Sequence, residues 1–176
     1  MYSLKNITVQ ELLVSKDYLN YDEILKHHRP KKNDIDILQN TYTNIKYCIS
    51  LLQKQQGTFD SIAEVFEILF DYDKETLLNL KVLKYYELRN YVIETFKNIV
   101  NNEMKLAQGG NTNLAKWQFA GGDKLRPYDN VLPLDQLAER YGGNPFDWGK
   151  KSYSEVFFLI AMNKNLNEVN YNYSKE

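Results

Sequence analysis

The stretch FDSIAEVFEILFDYDKETLLNLKVLKYYELRNYVIETFKNIVNNEMKL, residues 59–106, decides the fold class. Ile62, Val65, Phe66 and Leu69 recur at spacings of three and four, which gathers them on one side of a helix, and that side must be buried. Phe70-Asp71-Tyr72-Asp73 interrupts the pattern, and the Asp73 carboxylate can accept from the first free N–H groups of a new helix. Leu77, Leu78 and Leu80 follow in a short helix. Tyr85, Leu88, Val92, Phe96 and Ile99 then form a stripe along a long amphipathic helix. The order is helix, acidic turn, short helix and long central helix, and it predicts an all-α helical bundle.

Toward the N-terminus, Thr8-Val9-Gln10-Glu11 is a capping-box pattern, in which hydroxyl and carboxylate satisfy each other's backbone N–H groups. A short helix carrying Leu12 and Leu13 should start there, followed by a turn with Ile24 and Leu25. Arg29-Pro30 ends helical geometry because proline restricts the residue before it. Lys26, Arg29, Lys31 and Lys32 surround His27 and His28; the plain reading is a solvated turn, and the alternative is a weak basic patch for phosphates or an acidic protein. From Asp34 a helix is expected, with Ile35, Leu38, Tyr42, Ile45, Ile49 and Leu52 in a heptad seam facing the bundle or a second chain. Gly57 closes it.

Beyond Leu106 the composition changes. Gln108-Gly109-Gly110-Asn111-Thr112-Asn113 cannot hold a helix, and Gly121-Gly122 and Pro127 continue the interruption, so 108–131 reads as a long connector. Loops beyond about 12–15 residues are uncommon in compact domains and are usually functional or disordered. Trp117 and Phe119 are too large to leave in water without loss, so they should dock on the chain's own core or on a partner. Leu132-Pro133 restarts a helix with proline in its first turn. Tyr141-Gly142-Gly143 stops it, and Asn144-Pro145-Phe146-Asp147-Trp148 makes an aromatic turn. Ser152-Tyr153-Ser154-Glu155 is a second capping box opening the last helix. There Leu159, Met162, Leu166, Val169 and Tyr173 repeat by three and four, while Asn163, Lys164, Asn165, Asn167 and Asn170 are polar. That narrow stripe fits a single seam, against the bundle or against another copy. The expected division is a helical bundle over 1–107, a connector over 108–131 and a C-terminal helical hairpin over 132–176.

A chain of 176 residues can bury one sizeable core, and 43% hydrophobic with 26% charged residues belongs to a folded globular protein. The formal net charge of -1 supplies no global basic field for nucleic acid or an anionic membrane. No apolar run approaches the roughly 20 residues needed to span a bilayer, and Lys5, Asn6 and Gln10 stand where a signal peptide would be apolar. A cytoplasmic setting is expected. The single cysteine, Cys48, excludes an intramolecular disulfide and lies beside the Ile45/Ile49 face, where it reads as a small buried hydrophobe. His27 and His28 point about 100° apart on a helix and so do not make the two-ligand face of i, i+4 spacing. The glycine pairs at 109–110, 121–122 and 142–143 sit in no phosphate-binding pattern. No catalytic residue, metal ligand or cofactor site is expected, although carboxylate sites are assembled by folds and need no local motif.

The run of residues 59–99 resembles the small helical proteins of tailed bacteriophages that act in tail assembly, especially tail-assembly-chaperone-like proteins. The shared feature is an apolar helix, a D-x-[DE]-x-[LI] turn, a leucine-rich segment and a long helix, here Ile62–Phe70, Asp71–Leu77, Leu78–Leu83 and Tyr85–Val100. Residues 132–164 are similar to phage tail or morphogenesis proteins, where L-A-x-x-x-G-x-x-P precedes a turn and an E-V-[FL] helix; here these are Leu137 to Pro145 and Glu155-Val156-Phe157. Val82 stands where such families often have proline. The resemblance carries no residue-level site. It implies a non-enzymatic protein that binds other phage structural or assembly proteins in the host cytoplasm, and it allows self-association. The alternative is a structural virion component such as a neck ring or tail adaptor; a host-system inhibitor and an enzyme stand further off. The contacts expected are Trp117, Phe119, Leu159, Met162, Leu166, Val169 and Tyr173.

Overall fold

In a computed structural model that describes residues 4, 6–28, 35–55, 57–108 and 118–174, the chain is all-α. The helices are α1 (Val9–Leu13), α2 (Tyr18–Leu25), α3 (Tyr42–Lys54), α4 (Phe59–Phe70), α5 (Lys74–Asn79), α6 (Val82–Gln108), α7 (Leu132–Tyr141), α8 (Pro145–Gly149) and α9 (Tyr153–Tyr173), with 3₁₀ turns at Ile37–Gln39 and Gly122–Tyr128. Extended pairing among the described residues is confined to two isolated bridges, Thr8 with Lys81 and Thr41 with Ser152.

Two compact units result: Met1–Ile37 with Tyr47–Ile99, and Leu38–Lys46 with Val100–Glu176. This partition differs from one drawn at 107 and 131, because it cuts within α3 and α6 and not at the ends of helices. Composition marks where helices stop. It does not mark where a continuous helix changes the neighbours it packs against.

In the first unit the expected core forms. Ile62, Val65, Phe66 and Leu69 of α4, Leu77 of α5, and Tyr85, Leu88, Val92, Phe96 and Ile99 of α6 are all buried. Thr58 caps α4, and Asp71 ends it in the left-handed region at φ 58°. Asp73 accepts from Thr76 N at 2.7 Å and starts α5. The Thr8/Glu11 capping box is complete, with Thr8 N donating to Glu11 Oε2 at 2.7 Å and Glu11 N to Thr8 Oγ1 at 3.3 Å. Val9 N to Leu80 O (2.9 Å) and Val82 N to Ile7 O (3.0 Å) fix that turn to the α5–α6 junction. Asn90, buried on α6, donates to the carbonyls of Leu25 (3.1 Å) and His28 (2.7 Å) and so satisfies the end of α2.

Three expectations change. The helix expected from Asp34 begins only at Tyr42, because the Asn40 carbonyl and the Tyr42 N–H are bound to Tyr153 N and Lys151 O, each at 2.8 Å. Backbone groups committed to that bridge cannot also serve a helical ladder. Ser152 accepts from Glu155 N at 3.3 Å, but the Glu155 carboxylate takes Lys151 Nζ at 2.8 Å, so the second capping box is only half formed. The stretch expected to interrupt helical structure holds a 3₁₀ turn over Gly122–Tyr128, entered through Gly121 at φ 83°. Pro127 fits inside because so short a turn needs few N–H donors.

Candidate protein-binding surface

The second unit is built around α9. Its first turn is held by the Thr41/Ser152 bridge and by a stack in which the Tyr42 and Tyr153 rings lie 5.8 Å apart and 5° from parallel. Tyr153 stacks in turn on Phe157 at 5.7 Å. Glu103, near the end of α6, accepts from Tyr153 OH at 3.0 Å and from Lys46 Nζ at 2.8 Å. Both carboxylate oxygens are thereby engaged. Burial pushes the Tyr42 and Tyr153 phenols well above the usual tyrosine range, and the Glu103 charge adds to the effect. They stay protonated and act as donors and packing surfaces.

Helix α9 has two different sides, as expected where 3.6 residues make a turn. One side carries Tyr153 and Val156, both buried, and then Phe157, Ile160, Lys164 and Tyr171, which line a cleft of about 1010 Å³. Tyr42, Lys46, Glu103, Asp129, Gln136 and Leu137 complete much of its wall. Its charges are largely matched in pairs, Lys46 with Glu103 and Lys164 with Glu168 at 3.6 Å. Tyr141 OH donates to Asn163 Oδ1 at 2.7 Å and joins α7 to α9, giving the expected C-terminal hairpin.

The opposite side is apolar and uncovered. Phe158 is 65% exposed, Leu166 41%, Val169 63% and Tyr173 81%, while Leu159 and Met162 at the start of the seam are half-buried. The seam Leu159, Met162, Leu166, Val169, Tyr173 is therefore brought together on one side of one helix, and its C-terminal part lacks cover from the chain itself.

The other sequence-derived contacts do not converge on it as a set. Phe119 is 96% exposed and does not dock on the chain's own core. Trp117 lies outside the described residues, as do Arg29, Lys31 and Lys32. Lys26 pairs with Glu23 at 3.1 Å, and His28 Nε2 lies 3.7 Å from Glu87. Among the described residues no group of three or more His, Cys, Asp or Glu is placed to hold a metal ion, and no helix is long and apolar enough to cross a membrane. Sequence reasoning missed the Lys46–Glu103–Tyr153 cluster, whose members are 57 and 50 residues apart. No local pattern announces such a pairing. Compared with known families, curated proteins and solved structures, the chain matches none.

Proposed function

We propose that this chain is a non-enzymatic protein-binding factor of phage tail or baseplate assembly, and that the uncovered side of α9 is its contact surface. The setting rests on the resemblance of residues 59–99 and 132–164 to tail-assembly proteins. The surface rests on one observation, the exposed run of Phe158, Leu166, Val169 and Tyr173 on a single helical side. Contiguous apolar area of this kind, flanked by polar residues, is what interaction sites present. A structural role in the particle, as a neck ring or tail adaptor, would use the same surface.

The test is complementation of a phage that lacks this gene. Leu166→Asp with Val169→Asp should abolish or sharply reduce tailed particles while the variant accumulates as folded protein. Normal particle yield from the double variant would overturn the proposal. Mass spectrometry of purified particles separates the two roles: a structural component remains in them, whereas a chaperone-like factor does not.

A further inference from the structure

We infer that the cleft on the other side of α9 binds an extended peptide segment of a partner protein, one with apolar residues at alternate positions and a single basic residue. Every residue of the cleft wall belongs to the second unit. The volume of about 1010 Å³ stands at the upper end of small-molecule pockets, which span about 300–1,000 Å³. From Phe157 to Asn172 the α9 wall runs about 22 Å at 1.5 Å per residue, the reach of about seven residues of extended chain. Leu106, Pro133, Leu137, Phe157 and Ile160, all buried or half-buried, supply apolar surface. The wall also carries four carboxamides, Gln136 from α7 and Asn163, Asn167 and Asn172 from α9. Asn163 and Asn167 stand about 6 Å apart along the helix, close to the roughly 6.6 Å that two residues of extended chain cover. Asn163 accepts from Tyr141 OH through Oδ1 and keeps its N–H donors. The side chains of Gln136, Asn167 and Asn172 make no hydrogen bond among the described residues. A carboxamide offers both donors and an acceptor, which matches the N–H and C=O of a peptide unit. A helical occupant has those groups bonded within itself, whereas an extended segment brings them unpaired. Side chains of such a segment alternate in direction, so every second one meets the apolar surface. Charge selects further. Lys46 is paired with Glu103 at 2.8 Å and Lys164 with Glu168 at 3.6 Å, while Asp129 makes no ion pair among the described residues. Two lysines against three carboxylates leave the wall one negative charge, so a lysine or arginine in the segment is attracted and a glutamate or aspartate repelled. The inference stands apart from the reading of the uncovered α9 side, which uses none of these residues.

Fluorescence anisotropy of the full chain with labelled, end-capped heptapeptides tests this. The probes carry leucine, valine or phenylalanine at alternate positions and one lysine at each remaining position in turn. A second set has glutamate in place of the lysine, and a third is N-methylated at alternate amides. At least one lysine peptide should bind the parent saturably. Its glutamate and N-methylated counterparts should each bind at least about tenfold more weakly. Gln136→Ala with Asn167→Ala, both exposed positions, should weaken the lysine peptide at least about tenfold, as the loss of two hydrogen-bonding side chains implies. Asn165→Ala with Asn170→Ala, outside the cleft, should leave it within about twofold of the parent. The N-methylated probes leave the protein intact, so that comparison holds whatever the substitutions do to folding. Failure of every lysine peptide to bind the parent overturns the inference. So does binding that ignores N-methylation or the Gln136/Asn167 substitutions, since the backbone of the segment is then not what the cleft reads. Peptide binding that is lost equally in both double variants would also overturn it.

Discussion

Tyr153 donates its phenolic hydrogen to Glu103 Oε1 at 3.0 Å, joining the first turn of α9 to the end of α6 across 50 residues of sequence. Because Lys46 holds the other carboxylate oxygen in a half-buried setting, removing Glu103 strands a cation and a phenol together. Glu103→Ala is expected to cost about 1–3 kcal/mol, and Tyr153→Phe, which keeps the ring stack, about 1 kcal/mol. Urea denaturation of the two variants and their double mutant checks this. Additive effects would mean that the hydrogen bond contributes nothing of its own.

Gly149 is required for close approach. A methyl group there would lie 2.5 Å from Thr43 Oγ1 and 3.4 Å from Leu134 Cδ1. Gly149→Ala should lower stability by about 1 kcal/mol or more through overpacking. Adding Thr43→Ala should recover most of the loss, as read by melting temperature, since the blocking oxygen is then gone. Equal losses in the two backgrounds would contradict a contact between Gly149 and Thr43.

The buried tyrosines set an alkaline limit. Desolvation, above all, raises the phenols of Tyr42, Tyr85, Tyr86 and Tyr153. The folded state therefore holds protons that the unfolded chain releases near pH 10. Their stabilising contribution is complete below that pH and is lost as pH rises from there through the folded-state values. The melting temperature should fall steeply above about pH 10, and less steeply in Tyr86→Phe. Reversible ionisation of all fourteen tyrosines near pH 10 in the native protein would be incompatible with this burial.

Cys48 is fully buried, and burial pushes its thiol up to about 12. The thiolate is the reactive form, so the native protein should resist iodoacetamide at neutral pH and react after unfolding. Labelling in the native state at the rate of a free thiol would place Cys48 outside the core.

The legible parts of this fold are those where a local pattern and the buried side agree. The stripes of α4 and α6 gave the core of the first unit, Asp73 and Thr8 gave caps, and Gly142-Gly143 gave the end of α7 at φ 80° and 93°. Misreading occurred where distant backbone overruled local spacing. Ile35 and Leu38 continue the α3 heptad in sequence, yet the Tyr42 N–H donates to the Lys151 carbonyl and the Asn40 carbonyl accepts from Tyr153 N. Glu155 has the right position for a capping box but the nearer cation Lys151 takes its carboxylate. The α9 seam was legible as a stripe, whereas its exposure was not. Periodicity says which residues share a side and is silent on whether the chain itself covers it.

Whether the seam is surface or core is read most directly by thermal unfolding of Leu166→Asp with Val169→Asp at a concentration dilute enough to keep the chain monomeric. Residues exposed at 41% and 63% lose little when made charged, so the melting temperature should stay within about 2–3 °C of the parent. A fall beyond about 6 °C, equivalent to roughly 2 kcal/mol in a domain of this size, would show that these side chains belong to the core and that α9 offers no surface to a partner.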